Sequence, residues 1–127
     1  MQTNANQNFG GQVDLSGLCG TWYNTNEETR WIARFELLQR DGAFHIHAFG
    51  VKEPLDWGIR AMTTYSDNIG ESAFYTVYDL GDLEAVLAAN TNKGLVIIAA
   101  FLNFKDNSGR ANYLCREFFY RKQPGRQ

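Results

Sequence analysis

Tight-turn signals constrain the fold of this chain more than any other feature, because they divide most of it into short segments that suit β-strands. The signals are Asp41-Gly42, Gly81-Asp82, Thr91-Asn92-Lys93-Gly94 and Asp106-Asn107-Ser108-Gly109. Asp-Gly between two extended segments is typical of a type I′ hairpin, in which both turn residues adopt positive φ. The spacing of these turns therefore predicts an all-β fold.

Eight segments have the length and composition of strands. They cover residues 20–24, 30–39, 43–50, 59–65, 73–79, 83–89, 95–104 and 112–121. Segment 83–89 is rich in helix formers, but its position between two tight turns predicts a strand. Short connections between sequential strands favour a single eight-stranded up-and-down antiparallel β-barrel, because closure removes the exposed strand edges of an open sheet.

The Asp41-Gly42 turn also sets a strand register. A two-residue loop pairs Arg40 with Ala43, and the pairing continues to Phe35 opposite Ala48. One face of this hairpin is wholly apolar and must line the barrel, whereas the other carries charges and both histidines. The inner face consists of Ala33, Phe35, Leu37, Phe44, Ile46 and Ala48.

His45 and His47 suggest a metal site, because residues two apart in a strand share one face. They are the only histidines, and the register places them on the outer wall with no third strong ligand. A cross-strand pair between Glu36 and His47 explains the same residues. We therefore expect neither a metal nor another cofactor.

Composition restricts the classes of function. The chain has 127 residues, 44% of them hydrophobic, and a formal net charge of -2, which predicts one domain with a real core and no nucleic-acid-binding face. The longest apolar run has eight residues, far short of the ~20 that span a bilayer. We expect a disordered tail at 1–12 without a secretory signal, a barrel at 13–122, a flexible tail at 123–127, and a cytoplasmic location.

The two cysteines, Cys19 and Cys115, are too few for a disulfide framework. They fall near the first and last strands, which closure makes neighbours, so a bridge is one interpretation. Two buried thiols in a reducing compartment are the other.

Segment 95–104 is apolar on both faces, although only one face of a barrel strand can point inward. The outer stripe predicts a homodimer or homotetramer in which barrel walls pack together. Burial of the stripe beneath the N-terminal tail is the alternative.

No nucleophile motif and no phosphate-binding loop occurs in the sequence. The sequence favours a non-enzymatic protein that binds a small apolar or amphipathic molecule at one barrel mouth. The alternatives are a barrel enzyme of isomerase or cyclase type that acts by positioning its substrate, and an oligomeric interaction module with a filled barrel. The predicted ligand-binding residues are Asn24, Asn26, Trp57, Tyr75 and Arg116.

The segment Gly20-Thr21-Trp22-Tyr23-Asn24 resembles the first strand of the avidin and streptavidin family, and its Gly-x-Trp resembles that of lipocalins. The resemblance implies a streptavidin-like or other calycin-like barrel. It also implies a ligand-binding role for Asn24, since the first-strand Asn of that family helps to hold the ureido group of biotin. The family's Ser and Tyr partners of that group have no counterpart where Arg34 and Glu36 stand, so biotin is not the implied ligand.

A second resemblance covers more of the chain. The stretches 22–24, 47–50, 54–58 and 106–110 resemble a group of uncharacterised bacterial proteins that share an Asp-Trp-Gly loop. The typical loop of that group has a His and a Cys that are missing here. This resemblance implies a shared fold, and we expect Asp56 to cap the backbone of the Asp56-Trp57-Gly58 turn.

Overall fold

The computed structural model describes residues 13–66 and 70–122, so both predicted tails lie outside the described residues. These residues form one short 3₁₀ helix, η1, and a single sheet of antiparallel strands. The elements are η1 Ser16–Leu18, β1 Gly20–Asn24, β2 Ile32–Arg40, β3 Ala43–Gly50, β4 Asp56–Ala61, β5 Thr63–Ser66, β6 Ser72–Asp79, β7 Leu83–Asn92, β8 Leu95–Phe104 and β9 Tyr113–Arg121. None of the described residues belongs to a helix long and apolar enough to cross a bilayer.

The sheet is a nearly closed barrel of nine strands, and the prediction of eight strands was wrong. Its strand order is β4-β3-β2-β1-β9-β8-β7-β6-β5. The predicted strand 59–65 is interrupted at Met62, whose N–H donates to Phe44 O at 3.0 Å. Before this point the chain pairs with β3, and after it with β6. The interruption lets one extended segment change neighbours and bring the two edges of the sheet together.

Side chains close the seam between β4 and β6. Thr76 Oγ1 donates to Ala61 O, and Tyr78 Oη to Gly58 O, both at 2.8 Å. Tyr78 Oη also accepts the Ala48 N–H at 3.1 Å. The Tyr78 side chain is fully buried, so its hydroxyl satisfies backbone groups that would otherwise be unpaired in the interior.

The hairpin between β2 and β3 confirms the predicted register. Asp41 and Gly42 have φ values of 52° and 78°, as a type I′ turn requires. Arg40 pairs with Ala43, and the ladder continues as predicted to Phe35 opposite Ala48. The histidines therefore lie on the outer face, opposite the buried residues Phe44, Ile46 and Ala48.

The start of β2 departs from simple alternation. The register shifts between Ile32 and Arg34, so that Ala33 forms a β-bulge. Ile32 is fully buried, whereas Ala33 is only half-buried. The prediction that Ala33 lines the barrel beside Phe35 was wrong, because the bulge turns Ile32 inward in place of Ala33.

Segment 83–92 is a strand with alternating burial, and its helical propensity is overridden by pairing with β6 and β8. Ala85, Leu87 and Ala89 point inward. The small alanines leave room for large rings from other strands, which fill the middle of the barrel. Among the described residues, the largest fully buried side chains are Trp22, Tyr78, Phe35, Phe74 and Phe119.

The cysteines are both free and half-buried. Cys19 lies beside Arg121, whose Nη1 donates to Cys19 O at 3.2 Å. Cys115 lies six positions earlier in β9, which is ~20 Å along a strand. A disulfide needs Cα atoms within ~7 Å, so the two residues do not pair within one chain. Burial raises the pKa of Cys115 to about 11 and keeps its thiol protonated.

Candidate functional site: the mouth cavity

The two ends of the barrel differ in their connections. The loop end carries the connections 25–31, 51–55, 80–82 and 105–112, and the helix end carries η1 and the tight turns at 41–42 and 93–94. A cavity of about 570 Å³, which we call the mouth cavity, lies at the loop end. Cavities of this volume hold small organic molecules.

Two aromatic walls enclose the mouth cavity. Trp31 and Trp57 lie on the side of β2 and β4, whereas Phe104 and Tyr113 lie on the side of β8 and β9. Both tryptophans are only 7% exposed. The Phe104 and Tyr113 rings are 5.9 Å apart and tilted by 33°. Leu80, Leu83 and Leu102 complete the apolar lining.

A carboxylate holds the first of these walls in place. Glu117 lies on the inner face of β9, opposite Ile98, and accepts four side-chain hydrogen bonds. Its Oε1 accepts from Asn24 Nδ2 at 2.6 Å, from Thr29 Oγ1 at 2.5 Å and from Trp31 Nε1 at 2.5 Å. Its Oε2 accepts from Asn26 Nδ2 at 2.7 Å. We call these five residues the Glu117 cluster.

The charge of Glu117 is stabilised where it lies. Burial raises its pKa, but the hydrogen bonds from the other members of the cluster outweigh burial, so the pKa lies below its ordinary value. A carboxylate engaged by four donors and ionised at neutral pH suits a structural anion better than a general base.

The sequence of the 25–31 connection explains why it reaches Glu117. Asn24 Oδ1 accepts the Asn26 N–H at 2.8 Å, an Asx turn that bends the chain immediately after β1. The Thr29 N–H then donates to Asn26 O at 3.1 Å, which completes a compact loop. The loop presents Arg30 and Trp31 to the mouth cavity.

The turn at Asp56 and the packing of Tyr78 and Gly50 hold Trp57 in position. Asp56 Oδ1 accepts the Gly58 N–H at 2.8 Å, which confirms the predicted backbone cap. The Trp57 ring packs edge-on against Tyr78, with 5.3 Å between centroids. Its Nε1 lies so close to Gly50 that a Cβ atom on Gly50 would be 2.7 Å away. Glycine at position 50 therefore permits the close approach of the indole.

The charges around the mouth cavity balance. Three basic and three acidic residues line it, and one pair is already joined, because Arg110 Nη2 donates to Asp106 Oδ2 at 2.6 Å. The Arg110 guanidinium also stacks on Phe104, 4.1 Å from the ring centroid. The six residues are Arg30, Lys52, Arg110, Glu53, Asp82 and Asp106.

The structure brings three of the five predicted ligand-binding residues to the loop end. Trp57 lines the mouth cavity, and Asn24 and Asn26 belong to the Glu117 cluster beside it. Tyr75 and Arg116 lie on the outer wall, where both are exposed, and are not brought together with the other three.

Sequence reasoning missed Glu117, Trp31, Phe104 and Tyr113. Strand β9 carries large apolar residues on both faces, and the eight-residue connection 105–112 does not fix its register as a two-residue turn would. The one available signal was the alternation of Cys115, Glu117 and Phe119, which places the glutamate on the same face as a buried ring.

The outer histidines follow a different pattern from the predicted one. His47 pairs with Glu36 in register, but its Nε2 lies 2.7 Å from Asp56 Oδ1, while Glu36 lies 3.9 Å from Arg34. Within residues 13–66 and 70–122, no group of three His, Cys, Asp or Glu side chains is arranged to hold a metal ion.

Comparison of this chain with protein-family models, with curated proteins and with solved structures gives no match.

Proposed function

We propose that this protein is a non-enzymatic, streptavidin-like or calycin-like barrel that binds a small molecule in the mouth cavity. The observation that carries the proposal is the cavity itself: about 570 Å³ between two aromatic walls at one end of the barrel. The Glu117 cluster supports it, because a wall fixed by four hydrogen bonds is organised before a ligand arrives. Preorganisation of this kind reduces the entropic cost of binding.

Native mass spectrometry of protein purified from its own source tests the proposal. We expect a small molecule to be retained by the natural chain and by Gln39→Trp, which adds an indole at the helix end. Ala111→Trp adds the same group at an exposed position on the cavity lining and should abolish retention. Equal occupancy in both variants, or no retained molecule in any of the three proteins, would overturn the proposal.

A second proposal concerns assembly, and the outer wall favours it. Phe101 and Leu114 are each 57% exposed and adjacent in the β8–β9 ladder. Beside them lies a groove of about 580 Å³ whose lining includes Ala73, Ala88 and Ala99. A ridge and a groove on the same wall suit a twofold contact, in which each copy inserts its ridge into the groove of the other.

Sedimentation analysis tests this arrangement. We expect the natural chain to form dimers and Phe101→Asp to form monomers, with Gln39→Asp as a control that adds the same charge away from the wall. Identical sedimentation of the natural chain and Phe101→Asp would contradict a contact through this wall.

A further inference from the structure

The two walls of the mouth cavity favour a flat ligand. Each wall presents two aromatic rings, and such rings attract another π-system in stacked or edge-on geometry. The volume of about 570 Å³ accommodates a molecule of two or three fused rings.

The charges of the lining favour a ligand without net charge. The three basic residues are matched by three acidic ones. Arg110 is held between Asp106 and the face of Phe104, so it is not available as an anion receptor. An ionic ligand would lose its hydration without meeting an excess of opposite charge, and this loss is costly.

One nearly buried side-chain donor in the lining, the indole N–H of Trp57, has no hydrogen-bond partner among the described residues. The side chain of Trp57 is 93% buried, and none of the hydrogen bonds among the described residues involves its Nε1. Within these residues the only side-chain nitrogen or oxygen that is both unpartnered and sealed from solvent is His45 Nδ1. Trp57 Nε1 therefore retains access to open space. It lies against Gly50, another residue of the cavity lining.

The indole groups of the other two tryptophans are engaged. Trp22 Nε1 donates to Leu18 O at 2.9 Å, and Trp31 Nε1 donates to Glu117 Oε1. A nearly buried N–H normally has an acceptor, because an unpaired polar group in the protein interior loses its hydrogen bond to water without replacing it. The free position at Trp57 points to an acceptor that the ligand supplies.

We infer that the natural ligand is a planar, uncharged ring compound with a carbonyl oxygen or ring nitrogen at one edge, which accepts a hydrogen bond from Trp57 Nε1. This inference rests on the proposed function and specifies its ligand class. The aromatic walls hold the faces of the ring system, and the indole N–H sets its orientation.

Two fluorescent probes that differ in one acceptor test the inference. The first is 6-propionyl-2-(dimethylamino)naphthalene, which is planar, uncharged and carries a ketone, and the second is 2-(dimethylamino)naphthalene, which lacks the ketone. The natural chain should bind the ketone probe more tightly. Trp57→Phe should weaken binding of the ketone probe about fivefold or more, while changing binding of the ketone-free probe by no more than about twofold. Trp22→Phe, at the helix end, should leave the ratio of the two affinities unchanged.

A measurement on the natural chain does not depend on the folding of any variant. In ¹H–¹⁵N spectra the indole resonance of Trp57 should shift downfield when the ketone probe is added and much less with the ketone-free probe. The resonance of Trp22 should not respond.

The outcomes separate this inference from the proposed function. The inference is wrong if Trp57→Phe changes the binding of both probes equally and the Trp57 resonance of the natural chain shifts alike with both. The mouth cavity would then remain a binding site. If neither probe binds the natural chain, or Ala111→Trp does not prevent binding, the proposed function fails and the inference with it.

Discussion

At the helix end of the barrel the indole N–H of Trp22 donates to Leu18 O at 2.9 Å, whereas at the loop end that of Trp57 has no partner among the described residues. Both side chains are buried, at 2% and 7% exposure. The helix end is closed by its own chain: Leu15 enters the core, and the Arg121 guanidinium lies 4.8 Å from the Trp22 ring centroid. The loop end keeps a cavity instead. The same residue type thus completes a core at one end and lines a space at the other.

The two ends differ in the acceptors that pair with their side-chain hydrogen-bond donors, and this explains why only the loop end keeps a cavity. At the helix end, backbone carbonyls of 17–19 accept from Trp22 and Arg121. At the loop end, the Glu117 carboxylate accepts hydrogen bonds from four side chains within residues 24–31. A single anion can organise a wall without filling the space beside it, and this leaves room for a ligand.

Replacement of Glu117 should have the largest effect on stability. Glu117→Ala leaves Asn26, Thr29 and Trp31 without their side-chain acceptor, whereas Asn24 Nδ2 keeps Ile32 O. We expect a loss of about 3 kcal/mol in the free energy of unfolding. Glu117→Gln keeps one acceptor oxygen and should lose about half as much. Urea denaturation measures both, and a loss below about 1 kcal/mol for Glu117→Ala would show that the cluster does not hold the loop end together.

Glu117 also predicts a dependence on acid. Its pKa is lower in the folded chain than in the unfolded one, so its stabilisation is present above the unfolded value of about 4.5 and is lost as the pH falls through the folded value. Denaturation midpoints of the natural chain should therefore decrease below about pH 4.5. Glu117→Gln should show a shallower decrease.

The two tryptophans should respond differently to the same substitution. Trp22→Phe removes a partly buried hydrogen bond and leaves a void in the core, for which we expect about 2 kcal/mol of destabilisation. Trp57→Phe removes no internal hydrogen bond, and the space it leaves joins the mouth cavity, so we expect about half that loss. Thermal unfolding of the pair measures the difference, and equal losses would contradict the contrast between the two ends.

The seam residue Tyr78 lies between the ends and should have an intermediate effect. Tyr78→Phe leaves the Ala48 N–H and the Gly58 carbonyl unpaired, and we expect a loss of about 1.5 kcal/mol with faster amide exchange at Ala48. Burial raises the pKa of Tyr78 to about 12 from an unfolded value of 10. Its stabilisation is therefore complete below pH 10 and is lost between about pH 10 and 12. Tyr78→Phe should not show this alkaline loss; if it retains the full loss, another group is responsible.

Replacement of a glycine by alanine should have the smallest effect on stability, and each end of the barrel offers one such position. A Cβ on Gly50 would meet Trp57 Nε1 at 2.7 Å, and the indole can relieve this overlap by moving into the cavity. We expect Gly50→Ala to lose about 1 kcal/mol and to weaken binding of the ketone probe. Gly17→Ala is the matched control, because no atom lies within 4 Å of the added group. Equal stability and equal probe affinity of the two variants would refute a close fit of Trp57 against Gly50.

The all-β class, most strand boundaries and the hairpin register at Asp41-Gly42 could be predicted from the amino-acid sequence. These follow from local chemistry, since a two-residue turn with positive φ aligns the strands on both sides. The sequence also placed both histidines on the outer wall. The strand predicted at 83–89, which extends to Asn92 in the structure, follows from the same reasoning, because tight turns at both ends outweigh the helical propensity of its alanines.

The break at Met62, the bulge at Ala33 and the inward position of Glu117 arise from long-range contacts in the folded chain. Each depends on which strands become neighbours when the sheet curls. The alternation of Cys115, Glu117 and Phe119 is the one local signal, and it does not by itself show which face of β9 lines the barrel. The mouth cavity has the same origin, because Trp31 and Trp57 meet Phe104 and Tyr113 only across the closed barrel. Turn chemistry acts over a few residues, whereas the site joins residues as far apart in the chain as Asn24 and Glu117, which are 93 positions apart. This is why the fold class could be predicted and the site could not.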